Sequence, residues 1–278
     1  MRYADLHVHT FYSDSTFSPE EVVSCARDRA LAAIAICDHD SMDGIEPCRA
    51  VGEKLDVEIV PGIELTVEKA DAEIHILGYF MDGSLGWLRT RLKELQEGRT
   101  GRIRKMVEKL NFAGIDISAE DVFKEAGRGT VGRLHLARAI LKAGRAKTIR
   151  EIFEKHIGFN KPCYVANIKM SPREAVEMVL RSGGVPVLAH PGCMGRDEYI
   201  PELIECGLRG IEVYHTDHSP SASKRYEAIA RENGLLITGG SDCHGLGKGR
   251  IFLGEVRIPY ELVERLKEES GKIRREYR

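Results

Sequence analysis

Apolar residues along this chain follow two rhythms. Residues 3–9 alternate, with Leu6 and Val8 between Asp5, His7 and His9, which predicts a strand. Ser18-Pro19-Glu20-Glu21 then opens a helix: Ser18 caps it, Pro19 lies in the first turn and Glu21 closes a capping box. Residues 31–37 are wholly apolar, as in a strand covered on both faces. A helix over 43–54 and strands over 57–63 and 73–80 follow. From residue 83 to 166 the rhythm is helical, carried first by Leu88, Leu92, Leu95, Ile103, Met106, Val107 and Leu110. Gly98 and Gly101 are candidate breaks in that stripe, and further helices are predicted over 131–142 and 148–157. Ser171-Pro172-Arg173-Glu174 repeats the first helix start. Strands over 185–189, 210–214 and 235–238 then alternate with helices over 197–206 and 219–232, and a charged tail after Pro259 reads as a terminal helix. Repeated βα units at both ends predict an α/β fold with a parallel sheet or (βα) barrel. The barrel is expected from 1–83 and 167–278, with 84–166 a helical insertion capping its mouth.

Composition narrows this picture. At 278 residues, 42% hydrophobic and 30% charged, the chain can bury one large core with an insertion. A net charge of -2 carries no overall basic excess of the kind that marks nucleic-acid binding. No apolar run approaches the ~18 residues of a membrane span. The first strand pattern begins at Tyr3, leaving no room for a signal peptide, and seven cysteines lack any C-x-x-C pair. A reducing, cytoplasmic location is expected.

The chemistry lies where predicted strands end. His7 and His9 end the first, Asp38 and His39 follow the second, Glu64 follows the third and His75 lies in the fourth. His190 closes Val-Pro-Val-Leu-Ala, Glu212 and His215 end the next strand, and Asp242 and His244 follow the last. Barrel enzymes place their reactive groups at these strand ends. Residues two apart in a strand share a face, so His7 with His9, or Asp242 with His244, could grip one ion. Imidazoles and carboxylates without obligatory thiolates suit zinc, manganese or iron(II). There are more candidates than one ion needs, so two or three divalent ions are expected, with Glu64 a bridge. Such a cluster beside anion-binding groups points to hydrolysis of a phosphate ester.

These motifs resemble the PHP (polymerase and histidinol phosphatase) family. The resemblance rests on Asp5-Leu6-His7-Val8-His9-Thr10 with Ser13-Asp14, Cys37-Asp38-His39-Asp40, Gly62-Ile63-Glu64, His75-Ile76-Leu77-Gly78, Ala189-His190-Pro191-Gly192 and Gly240-Ser241-Asp242-Cys243-His244. Gly132-Arg133-Leu134-His135-Leu136-Ala137-Arg138 resembles the branch of 3′,5′-nucleoside bisphosphate phosphatases and 5′-to-3′ exoribonucleases. The resemblance implies a distorted (βα)7 barrel with a three-metal site. It implies His7, His9, Glu64 and Asp242 on a first ion, Glu64, His75 and His190 on a second, and Asp14, His39 and His244 on a third. Asp242 and His244 are thereby divided between two ions. Many members carry histidine where this chain has Asp14, so the third site is more oxygen-rich and better suited to manganese or magnesium.

Other residues receive expectations of their own. Asp38 is expected to act in catalysis by orienting a histidine, and His215 by contacting the phosphate or the leaving group. Arg133 and His135 are expected to bind substrate, with Lys161 and Arg196 as further phosphate contacts. Arg99, Arg102, Arg104 and Lys105 read as a solvated basic face that could also draw in a polynucleotide. The expected activity is a metal-dependent phosphoric ester hydrolase using metal-activated hydroxide on a nucleotide, either a 3′,5′-bisphosphate or a short RNA end, without an obligatory protein partner. The alternatives are a histidinol-phosphate phosphatase, a non-catalytic PHP module, or an amidohydrolase, whose usual bridging lysine has no counterpart at a strand end here.

Overall fold

The computed structural model describes residues 1–70, 72–166 and 170–277. Strand β1 (Tyr3–Val8) leads through helix α1 (Pro19–Asp28) to β2 (Ala33–Ile36), and through α2 (Ile45–Leu55) to β3 (Glu58–Lys69). The three strands are parallel neighbours. Strand β4 (Ala72–Tyr79) then returns antiparallel along β3. The expected third strand is therefore too short, and Glu64 lies inside β3 rather than after it. Pro61-Gly62 reads as punctuation in the sequence, yet Gly62 serves close packing. A Cβ there would lie 2.8 Å from Cys37 Sγ and from the Ile36 carbonyl oxygen.

Helix α3 (Gly86–Phe112) runs unbroken through Gly98 and Gly101. Helices α4 (Ala119–Ala126), α5 (Arg133–Lys142) and α6 (Ile149–Ile152) follow, and α6 continues as a π-turn over Phe153–Ile157. Helix α3 serves two cores: Leu88, Leu92 and Leu95 pack with the strands, whereas Ile103, Met106, Val107 and Leu110 pack with α4, α5 and α6. The expected return to the barrel at residue 167 lies outside the described residues.

Helix α7 (Pro172–Arg181) precedes β5 (Val185–Leu188), and α8 (Pro191–Met194) and α9 (Ile200–Glu205) precede β6 (Gly210–His215). Helix α10 (Pro220–Glu232) leads to β7 (Leu236–Gly240), and the two-residue β8 (Ile258–Pro259) to α11 (Glu261–Glu276). The Ser18 and Ser171 helix starts both form capping boxes. The strand order is β7-β6-β5-β4-β3-β2-β1-β8. Beyond β7, Cys243 bridges Val8, and the His9 N–H donates to the Cys243 carbonyl at 3.0 Å, which nearly closes a barrel from β1 to β7. Gly240 permits this approach, since a Cβ there would sit 2.3 Å from His7 Cβ. The antiparallel β4 distorts the βα pattern. Among the described residues no helix is long and apolar enough to cross a membrane.

Candidate metal centre

Strand periodicity puts His7 and His9 on one face of β1, and the β3–β4 pairing sets His75 opposite Thr66, diagonal to Glu64. His39 bridges to Glu64 just past β2. His190 and Asp242, past β5 and β7, have φ of 23° and 50°, left-handed values that non-glycine residues adopt where surrounding structure holds them. Thus side chains far apart in sequence converge.

Glu64 is the centre. Its Oε1 lies 2.6 Å from His75 Nδ1 and 3.0 Å from His190 Nε2. Its Oε2 lies 3.2 Å from His39 Nδ1, 3.3 Å from His9 Nε2 and 3.4 Å from His7 Nε2. Asp242 Oδ1 lies 3.0 Å from His9 Nε2 and 3.5 Å from His7 Nε2. Asp14 Oδ1 lies 3.1 Å from His244 Nε2. Three groups around Glu64 and Asp14 have donor atoms within 4.8 Å of one another: His7, His9, Glu64 and Asp242; Glu64, His75 and His190; and His9, Asp14, His39 and His244; a fourth, more exposed, joins Cys193, His215 and Asp217. All nine side chains expected to ligate are brought together, divided as the family resemblance implies, with His9 also adjoining the third group.

Outer partners orient these rings. A carboxylate can only accept, so His7 donates from Nδ1 to Glu212, at 3.1 Å, and turns Nε2 toward the centre. Glu212 also accepts the His190 N–H at 2.8 Å. His244 donates from Nδ1 to the Asp242 carbonyl at 2.8 Å, which turns its Nε2 toward Asp14. Asp5 accepts from the backbone of Ser241 and Gly254, both at 2.8 Å, and so ties β1 to the segments after β7.

His7 Nε2, Asp14 Oδ1, His39 Nδ1 and Glu64 Oε2 are buried without a hydrogen bond. Convergent orphaned donors of this kind fit divalent cations, which accept lone pairs from several sides at once. The electrostatics agree. Burial alone would depress His9 and His75, but the Asp242 and Glu64 carboxylates beside His9, and Glu64 and Glu73 beside His75, lift them to about 9 and about 10. Burial alone would raise Glu64, yet His39, His75 and His7 hold it well below the carboxylate range. The cluster draws positive charge strongly.

The other expected residues fare unevenly. Asp38 does not face the cluster. Its oxygens accept from the Thr10 N–H (2.7 Å), the Thr10 hydroxyl (2.6 Å) and the Ser13 hydroxyl (2.6 Å), reaching His9 only through Ser13. Asp38 therefore braces the loop after β1 and meets the His9 ring only by way of the Ser13 hydroxyl. His135 is buried, its Nδ1 accepts the Gly132 N–H at 3.1 Å and so caps α5, and it is not among the residues lining the cavity over the cluster. Lys161 is exposed in the turn after Gly158, and Arg196 lies 4.0 Å from Glu198; neither lines the cavity over the cluster. Arg133 does line it, paired with Glu73. His215 Nδ1 accepts the Asp217 N–H at 3.1 Å, and its Nε2 lies 3.8 Å from Asp242 Oδ2.

That cavity is about 640 Å³, with the cluster as its floor and α3, α5 and the π-turn as its far wall. Arg99 and Arg102 reach it from α3 and are buried, contrary to the solvated face expected of them, whereas Arg104 is exposed. Arg99 pairs with Asp40 and donates to the Thr66 hydroxyl at 2.8 Å. Sequence reasoning gave no role to Glu212, Glu73 or Lys248. Glu212 was visible at a strand end; Lys248, in a glycine-rich loop, carried no signal.

A family model described as "PHP domain" matches residues 5–155. The chain belongs to the PHP family. Among curated relatives, a 3′,5′-nucleoside bisphosphate phosphatase of Chromobacterium violaceum is 32% identical, with 90% of each chain covered. A phosphoribosyl 1,2-cyclic phosphate 1,2-diphosphodiesterase of Eggerthella lenta is 31% identical over 92% of this chain and 98% of its own. The 5′-3′ exoribonuclease Rnm of Escherichia coli is 31% identical over 86% and 84%. A solved structure from Bifidobacterium adolescentis, assigned there as a metal-dependent phosphoesterase, superposes with a TM-score of 0.88 at 32% identity, with 96% of both chains covered. The expected class, a metal-dependent phosphoric ester hydrolase of the PHP family, is the class these proteins share.

Proposed function

We propose that this PHP protein hydrolyses a phosphate ester of a nucleotide, a 3′,5′-nucleoside bisphosphate or a short RNA end, with two or three divalent ions in the Glu64-centred cluster. The observation that carries this reading is a single cavity whose floor is the three donor groups and whose walls present Arg99, Arg102, Arg133 and Lys248. Such a cavity suits a substrate with anionic oxygens at the floor and further polar groups above it. The helical segment 84–166 would act as the cap that closes over the substrate.

His7, His9, Glu64 and Asp242 would hold one ion, Glu64, His75 and His190 a second, and Asp14, His39 and His244 a third, with manganese, zinc, iron or magnesium as the candidate elements. When bound, such ions acidify water and neutralise phosphoryl oxygens. Glu212 keeps His7 in the ligating tautomer, and the Asp217 N–H leaves His215 Nε2 as the ring's donor, 3.8 Å from Asp242 Oδ2, from where it would support the site behind Asp242. Arg133 presents its fork from α5 beside the Phe153 and Tyr164 rings, each about 5.6 Å away, where a phosphate and a base would find partners. Seven unpaired cysteines suit the reducing cytoplasm.

Manganese-supplemented protein should hydrolyse adenosine 3′,5′-bisphosphate faster than histidinol phosphate, read as released phosphate, and faster than a ribose 1,2-cyclic phosphate, read as ring opening to the monoester. His9→Ala and Asp242→Ala should each lower kcat by roughly 10³-fold. Equal rates on all three esters, or full activity in either variant, would overturn the assignment.

A further inference from the structure

Lys248 lies in Gly245-Leu246-Gly247-Lys248-Gly249, directly after Asp242 and His244. This loop is tethered. The Leu246 N–H donates to Thr16 Oγ1 at 2.8 Å, the Gly247 N–H to the His244 carbonyl at 2.9 Å, and the Gly249 N–H to the Leu246 carbonyl at 2.9 Å. A Cβ on Gly247 would fall 2.9 Å from the His244 carbonyl oxygen and would displace the Arg138 guanidinium, so glycine lets the loop fold back tightly against both. Lys248 thus rises from a fixed base into the catalytic cavity, its side chain 36% exposed.

Its contact divides a carboxylate. Asp242 Oδ1 faces inward, to His9 Nε2 at 3.0 Å and to His7 Nε2 and His244 Nδ1 at 3.5 Å each. Asp242 Oδ2 faces the cavity and accepts from Lys248 Nζ at 2.6 Å. Asp242 would hold a cation together with His7, His9 and Glu64, whereas its contact with the ammonium uses the oxygen on the cavity side. An ammonium has three protons, and Asp242 takes one. The other two are free to meet oxygens of a group approaching the donor cluster. By contrast, Arg99 is engaged by Asp40 and Thr66, and Arg133 by Glu73, further up the wall.

From this arrangement we infer that Lys248 is a catalytic residue whose ammonium hydrogen-bonds a non-bridging oxygen of the scissile phosphoryl group. The inference rests on the phosphoesterase reading above. Its gain is a fixed positive charge that needs no reorganisation as the phosphoryl oxygens gain charge.

The test compares wild type, Lys248→Met, Lys248→Gln and Lys248→Arg, each loaded with manganese and assayed for metal content. Neutral variants should keep the wild-type metal content, lose roughly 10²-fold in kcat, and bind inorganic phosphate roughly tenfold more weakly by calorimetry, with Lys248→Arg recovering part of both. If the neutral variants lose metal yet keep wild-type kcat per loaded site and wild-type phosphate affinity, Lys248 only supports Asp242 and the inference falls. Should wild type cleave no phosphate ester, the parent reading fails instead, and the phosphate-binding comparison still decides whether Lys248 touches a phosphoryl group.

Discussion

Glu212 shows how much one side chain outside the cluster decides. A neutral imidazole carries its proton on either nitrogen, and only the Nδ1–H form of His7 presents Nε2 to Glu64 and Asp242. Glu212 enforces that form and anchors the His190 backbone. Glu212→Ala should therefore weaken metal binding by roughly 10–100-fold without unfolding the chain, read as chelator competition against wild type. Unchanged affinity would mean that the tautomer is set elsewhere. The histidines and acids around the centre were legible because strand ends and two-residue spacing mark them in the sequence. Glu212 was visible too, but its partner lies 205 positions away, and no local pattern says which acid faces which ring. His135 carries a further role that its motif does not spell: Gly-Arg-Leu-His looks like substrate machinery, and its ring also caps the helix.

At the scale of elements, local chemistry was readable and strand pairing was not. Both Ser-Pro-x-Glu starts form the boxes they spell. Residues 64–69 alternate as a strand would, but Pro61-Gly62 hid the continuation that β4 pairs with. Arg99 and Arg102 sit in a basic run whose burial depends on where the whole helix docks, which periodicity alone does not reveal. The α5 cap offers a test. Burial holds the His135 ring down at about 4, against an ordinary 6.5, since charging it there costs solvation. Between those values the unfolded chain binds a proton that the folded chain does not, so stability rises with pH across that window. The His135 contribution is complete above about pH 7 and is lost as acid is added. His135→Gln keeps a side-chain acceptor at the capping position but cannot titrate. Urea unfolding at pH 7.5 and pH 4.5 should show the variant spared about 2–3 kcal/mol of the wild-type loss. Identical losses in the two proteins would remove His135 from the acid response.

At the scale of the molecule, the centre is a property of the nearly closed barrel. Its donors run from His7 to His244 and come together only when β1 through β7 are in place. An unfolded chain has no such constellation, so ions bind the folded state and their binding free energy adds to stability. At a free ion concentration one hundred times the dissociation constant, that is about 2.7 kcal/mol for each ion bound. For a chain of 278 residues it corresponds to a rise in Tm of roughly 5 °C. Calorimetry of chelator-treated protein, with and without added manganese, should show that increment. It should shrink sharply in Asp14→Ala, where one donor group loses its carboxylate, and persist in His156→Ala, whose ring lies outside every donor group. An increment of the same size in Asp14→Ala would place the stabilising ion away from the Asp14, His39 and His244 group. No increment in wild type would mean that the orphaned donors of the barrel floor are satisfied by something other than a divalent ion.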